Sequence, residues 1–255
     1  MINFTVENKV KILKTDINQI KLNDLSNRLI NEENLDVAVC NANSLVRSYK
    51  DKDLQKILNN FDIATPDGFP VAKASSILYK NDQKRVDGYK IFNHTIEKSI
   101  ESGTSHYFFG NSEEVVEKII TKFKKKYPSI NIAGYSCPPI LDVEKLASDK
   151  YMEEIIKLEP KIIWLSFGFP KQEKLMSKIR KDYKLNSNLV GVGFTFDWTA
   201  ETKFKAPEFI ANLGLEWIFR LIQEPKRLYK RYLIDNTLFI FYFIKQYLEI
   251  KFKKH

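Results

Sequence analysis

At 255 residues, with 44% hydrophobic and 29% charged residues, the chain has the composition of an ordinary globular protein and enough length for one substantial core. Its 41 lysines and arginines against 32 acidic residues leave a formal charge of +9, which suits an anionic partner, nucleic acid or membrane surface alike. Two cysteines, Cys40 and Cys137, exclude a disulfide framework and a cysteine metal cluster. The longest apolar run, residues 238–244, falls far short of the roughly 20 residues of a membrane span.

The N-terminal stretch MINFTVENKVKILKTD is charged throughout and lacks the apolar centre of a signal peptide, so a cytosolic protein is expected. Residues 10–13 read as a first strand, and Leu22, Leu25, Leu29 and Ile30 recur at helical spacing. The run DVAVC, residues 36–40, reads as a buried strand that stops at the polar cluster Asn41-Ala42-Asn43-Ser44. A helix over 45–58, a short strand over 61–64 closed by Thr65-Pro66-Asp67-Gly68, and a helix over 71–79 follow. After Arg85-Val86-Asp87-Gly88, a helix over 91–102 ends at Gly103, a natural C-cap. Then come strand 106–109 with Gly110-Asn111-Ser112, helix 113–127, strand 130–133 and helix 144–158. Strand 161–167, the turn Gly168-Phe169-Pro170-Lys171-Gln172-Glu173, helix 174–183 and strand 189–192 complete the alternation.

Short apolar strands alternating with helices predict an α/β fold, a Rossmann-like parallel sheet flanked by helices, over residues 1–202. Residues 203–255 are expected to form a basic, amphipathic helical appendage. Trp217, Ile218, Leu221 and Ile222 share one side of a helix that Pro225 should end or kink, and Lys226, Arg227, Lys230 and Arg231 follow. From Arg220 onward nine lysines and arginines meet three acidic residues, so six of the nine net positive charges are local.

Ligands of parallel sheets bind at the carboxyl ends of the strands. Asn41, Asn43, Thr65, Asp67, Asn111, Gly168, Lys171, Gln172 and Asp197 fall there. Asp67 has two readings: a β-turn residue between Pro66 and Gly68, or a carboxylate presented as a general base. Arg85 is either a surface arginine or a bidentate partner for phosphate or carboxylate. The Gly168–Glu173 turn opens a helix, whose free N–H groups and positive dipole end suit an anion. Lys171 and Gln172 add donors there, and an ordinary strand-to-helix turn is the plainer alternative. Gly191-Val192-Gly193 is a lone GxG followed by bulky residues, so a dinucleotide fingerprint is weak. His94 and His106 have no spaced partner and read as structural or surface residues. No metal constellation emerges.

Taken together, four stretches resemble the WecG/TagA/CpsF family, glycosyltransferase family 26. They are Asn41–Ser44 with Lys50-Asp51; Thr65–Gly68 with Arg85–Gly88; Phe167–Glu173; and the long run from Val190 to Tyr232 (VGVGFTFD…KAP…LGLEWIFRLIQEPKRLYKRY). The similarity covers about residues 10 to 234. It implies an inverting transferase that needs no essential metal and no cofactor. The sugar would pass from a UDP-sugar to an undecaprenyl-diphosphate-linked sugar on the cytoplasmic membrane face, building a surface polysaccharide or teichoic-acid-type glycan. UDP-N-acetylmannosamine, its uronic acid, UDP-glucuronate and UDP-glucose all remain open as donors.

By the same resemblance, Asp67 matches the general base, Asn41 and Gln172 match pocket residues, and Arg85 matches an arginine near the diphosphate. Arg220, Arg227 and Arg231 match arginines that close over the site at the membrane. Substrate contacts are also expected from Asn43, Thr65, Gly168, Lys171 and Asp197. The implied partners are the UDP-sugar, the lipid-linked acceptor and the membrane surface; a homo-oligomer is allowed and nucleic acid is not expected. The chain departs from the pattern at Val39, Pro70, Phe169 and Lys205, and Pro70 and Phe169 bear on the sugar pocket. The competing reading is a basic nucleic-acid- or membrane-binding module without catalysis; an oxidoreductase lacks its fingerprint.

Overall fold

The computed structural model describes residues 8–252, without the side chains of Asn212 and Arg231. Residues 1–7 and 253–255 lie outside the described residues, and with them the start of the N-terminal stretch and His255, as does the side chain of Arg231. The described residues form eight strands: β1 (Lys9–Ile12), β2 (Thr15–Asn18), β3 (Asp36–Cys40), β4 (Ile63–Pro66), β5 (His106–Gly110), β6 (Ile132–Ser136), β7 (Ile162–Ser166) and β8 (Asn188–Gly191). The last six form one parallel sheet in the order β4-β3-β8-β7-β5-β6, and β1 and β2 form a separate antiparallel hairpin. The expected α/β fold is therefore present.

Strand side chains alternate between two cores. Ala38, Cys40, Tyr107, Phe109, Ile163, Leu165 and Leu189 enter one, while Val37, Phe108, Ile162, Trp164 and Val190 enter the other. Burial on both faces is why these strands read as nearly continuous apolar runs. The second core centres on Phe92, whose ring meets Trp164 edge-on at 5.0 Å and Phe108 at 5.8 Å. His106 sits inside this layer, fully buried. Its Nδ1 accepts from Trp164 Nε1 at 3.1 Å, so Nε2 carries the proton and donates to Ser99 Oγ at 2.8 Å. Burial holds its pKa down to about 3, and the ring is a structural, neutral one.

Adjacent strands send the chain to opposite faces. After β3 it enters the Ala42–Lys50 helix on the first core, and after β8 it enters the Thr195–Thr199 helix, whose Phe196 lies in the second. A crevice opens between two such strands at their carboxyl ends. It is there that the polar residues of the sequence gather.

Several elements differ from expectation. The helix expected over 45–58 is two helices, Ala42–Lys50 and Lys52–Asn60, because Asp51 caps the second by accepting from Asp53 N and Leu54 N. The helix over 144–158 is likewise split into Val143–Leu146 and Asp149–Leu158. Gly103 is not a helix cap: the helix Gly88–Lys98 ends at Ser99, and Gly103 turns the chain at φ +63°. The β1–β2 hairpin was not anticipated. Its turn uses Leu13 and Lys14 at φ +47° and +68°, where Asn-Gly or Asp-Gly is the usual signal.

The C-terminal segment runs through helices Glu208–Asn212, Glu216–Gln223 and Pro225–Lys230. A π-helical turn, Arg231–Asp235, then leads into the long helix Asn236–Phe252. Pro225 starts a new helix, as a residue without an N–H can. Ala206, Ala211, Leu228, Tyr232 and Phe239 are buried, and Leu238, Tyr242 and Phe243 pack on the first core. Gln246 reaches the hairpin, donating to Lys11 O at 2.7 Å and accepting from Leu13 N at 3.0 Å. No helix of the described residues is long and apolar enough to cross a membrane.

Candidate active site

Asn41 ends β3 and caps the helix after it. Its Oδ1 accepts from Ser44 N at 3.3 Å while its backbone N–H donates to Ser44 Oγ, a reciprocal capping box. This fixes the side chain, and its free Nδ2 donates to Asp67 Oδ2 at 3.4 Å. Asp67 follows β4 and precedes Gly68, whose φ of +95° turns the chain into the next helix. Its backbone N–H donates to Cys40 O at 2.8 Å, tying the ends of β3 and β4 together.

Around Asp67 the charges are dense. Arg85 pairs with Asp87 at 3.1 Å and with Glu216 at 2.6 Å, the latter from a helix 131 residues further along. Burial raises the Asp67 pKa to about 6, reinforced by the neighbouring carboxylates Asp87 and Glu216 and opposed by Arg85 and Asn41. Arg85 is only 11% exposed, and its charge is engaged by protein carboxylates. Asp67, Arg85 and Glu216, with Phe69, Trp217 and Arg220, line a chamber of about 90 Å³.

The chamber adjoins a cleft of about 760 Å³, within the range of small-molecule sites. Asn41, Asn43, Asp67, Gly168, Gln172, Asp197, Arg220 and Arg227 all line it. Gln172 is held by its own turn, accepting from Gly168 N at 3.2 Å and donating to Glu173 Oε1 at 3.0 Å. The two glycines of the lone GxG make room for it: a Cβ on Gly191 would sit 2.7 Å from Gln172 Nε2, and one on Gly193 3.5 Å from Oε1. That is the use of the motif here, and no dinucleotide is needed to explain it. Glu173, fully buried, is pushed up to about 7 by desolvation, and its Oε2 has no hydrogen-bond partner among the described residues. Across the cleft, Asn111 at φ +65° donates to Asp197 Oδ2 at 2.9 Å.

Two expected residues are not on the cleft wall. Thr65 is fully buried in β4, and Lys171 is not among the lining residues, its ammonium lying 5.5 Å from the ring centre of Phe167, which is one. Asn43 lines the cleft and donates to Asp235. Glu216, Asp235 and Glu208, which pairs with Lys90 at 2.6 Å, were not singled out in the sequence. Their common signal is an acidic residue inside a basic segment: each faces the α/β body. Lys226, Arg227 and Lys230 stay exposed among the apolar side chains Phe204, Phe209, Leu213 and Ile222, the last 75% exposed.

The sequence model of the glycosyl transferase WecG/TagA/CpsF family matches residues 10–253. A relative from Bacillus spizizenii (strain ATCC 23059 / NRRL B-14472 / W23) is 30% identical over 173 residues, covering 68% of this chain and 65% of the relative. One from Bacillus subtilis (strain 168) is 27% identical over 191 residues, covering 75% and 72%. Both are named N-acetylglucosaminyldiphosphoundecaprenol N-acetyl-beta-D-mannosaminyltransferase. The match thus spans slightly under two thirds of the first relative's length.

Proposed function

The chain belongs to the WecG/TagA/CpsF family of glycosyl transferases, and on that premise we propose that it transfers a sugar from a UDP-sugar to a polyprenyl-diphosphate-linked acceptor. The relatives' names favour N-acetylmannosamine as the sugar and N-acetylglucosaminyl-diphosphoundecaprenol as the acceptor. The observation that carries this reading is Asp67: a half-buried carboxylate at the junction of chamber and cleft, raised to about 6 and oriented by Asn41.

Asp67 takes the proton of the acceptor hydroxyl. The hydroxyl oxygen then bonds to the anomeric carbon as the bond from that carbon to UDP breaks, inverting the centre. A base with a pKa near 6 is mostly ionised at neutral pH yet keeps useful basicity. The negative charge that develops on departing UDP falls to Arg220 and Arg227, with Arg231 beside them in sequence, so that no metal is required. Gln172 and Asn41 are placed for sugar hydroxyls, and Arg85 holds the charge balance around the base rather than meeting solvent.

Residues 203–255 act as an appendage that lies on the membrane surface, with the exposed apolar side chains entering the headgroup region and the lysines and arginines meeting anionic lipid. Purified protein, a panel of UDP-sugars and polyprenyl-diphosphate-GlcNAc test the reading through UDP release. Turnover with one donor and its loss in Asp67→Ala with the fold intact are expected. Near-wild-type turnover in that variant would remove Asp67 as the base.

A further inference from the structure

Three cations from residues beyond 203 lie over three aromatic rings of the α/β body. The Arg220 guanidinium carbon is 4.9 Å from the Phe194 ring centre and 5.0 Å from that of Trp198, and Arg227 is 5.1 Å from Phe194. Lys205 stands 4.6 Å from Tyr89 and 6.0 Å from Trp198. The rings also support one another edge to face, Phe194 on Trp198 at 5.5 Å and Tyr89 on Trp198 at 6.4 Å. All of the cations lie within about 6 Å of a ring, the reach of cation–π attraction.

The run Gly193-Phe194-Thr195-Phe196-Asp197-Trp198 divides its labour by helical spacing. Phe194 and Trp198, four apart, share one face and line the cleft, while Phe196 points into the core and Asp197 accepts from Asn111. A ring takes up the flat face of a guanidinium and leaves its in-plane N–H groups unused, which a carboxylate partner does not. Arg85, bonded to Glu216 and Asp87, illustrates the second case. Arg220 has no carboxylate within ion-pair distance among the described residues, and Arg227 gives one edge to Glu224.

We propose that Phe194 and Trp198 are positioning residues, which hold Arg220 and Arg227 face-on so that their in-plane N–H groups point into the cleft at a diphosphate. The inference rests on the transferase reading above. The diphosphate has two sources, the nucleotide donor and the lipid-linked acceptor, and separate arms distinguish them.

Binding of UDP to the full chain is measured by calorimetry, and the KM for a short-chain GlcNAc-diphosphate acceptor is measured with a UDP-sugar in excess. Phe194→Leu should weaken one of the two by roughly tenfold, the worth of two partly exposed cation–π contacts. The affected arm names the diphosphate that is held. Phe194→Tyr, which keeps the ring, should stay within about twofold of wild type, and Phe194→Leu should cost less on an Arg220→Ala background than in the wild type, the remainder being the Arg227 contact. Arg220→Lys, which leaves the rings in place, keeps the charge without the planar stack and should show a similar loss; it stands in if Phe194→Leu fails to fold. Equal binding in both arms by wild type, Phe194→Leu and Arg220→Lys would overturn the inference, as would Phe194→Tyr being as impaired as Phe194→Leu. Wild-type protein that ignores UDP and the acceptor analogue alike would instead remove the transferase reading on which it stands.

Discussion

Replacing Asp67 by Asn should make the protein more stable and inactive. Burial and the neighbouring Asp87 and Glu216 lift the Asp67 pKa from 3.8 to about 6, so ionising it in the folded chain is unfavourable. Two pH units at about 1.4 kcal/mol each set an upper bound of about 3 kcal/mol. The sign follows from the direction of the shift. Between 3.8 and about 6 the folded state holds more protons than the unfolded one, so stability falls as pH rises through that window and stays lowered above it. Asn is nearly the same shape, carries no charge and still meets Asn41. Its gain should be full at pH 7.5 and shrink toward nothing as pH approaches 4. For a chain of this size roughly 2–4 °C accompany each kcal/mol, so a rise in Tm of about 5–10 °C is expected at pH 7.5. Scanning calorimetry at several pH values, paired with UDP release, measures both halves. A variant no more stable than wild type at pH 7.5, or a gain independent of pH, would refute the charge picture of the site.

Glu216→Gln removes one like charge near Asp67 and frees an edge of Arg85, so the acidic limb of the kcat/KM profile should move to lower pH; an unmoved limb between pH 5 and 8 would mean Glu216 does not act on the base. Gly191→Ala should displace Gln172, raising the KM for the UDP-sugar while the urea midpoint changes little, since the nearest atom is the far end of a flexible side chain. Phe92→Ala should cost about 3–5 kcal/mol in urea unfolding, because that ring joins Trp164, Phe108, Phe123 and Phe196. Glu173→Gln, relieving a carboxyl pushed up to about 7, should stabilise the protein above pH 7 and leave it unchanged near pH 4, read from the same melts.

The sheet was legible because the strands inside it are buried on both faces, β6 at its edge less so, and each is separated from the next by helix. What misled was local chemistry that outranks periodicity. Asp51 interrupts a helical pattern that continues through it, since its carboxylate satisfies the next helix's amides better than a helix interior would. Leu13 and Lys14 turn a hairpin with no glycine or asparagine to announce it. At the site, strand ends led to Asn41, Asp67 and Gln172, which line one cleft, and the resemblance led to Arg220 and Arg227 on its wall. Glu216 was invisible, because its importance lies in a partner 131 residues away and not in its neighbours. Thr65 is buried and Lys171 is not among the residues that line the cleft: membership of a motif does not say which side of a strand or helix a side chain faces. The same holds for Gly191 and Gly193, whose absent side chains matter only once Gln172 is seen between them.

The amide of Gln246 has a bearing on how the chain is made. The outer edge of β1 presents Lys11 and Leu13, whose backbone groups are taken up by the Tyr79 hydroxyl and by Gln246. Tyr79 leaves the ribosome early and Gln246 very late, 233 residues after Leu13. For most of translation half of that edge stands open, a template for another strand. The last helix is thus the stopper that ends the nascent chain's exposure, and a chain cut before Asn236 should exchange the Leu13 amide rapidly and aggregate as it grows, where the full-length chain does not.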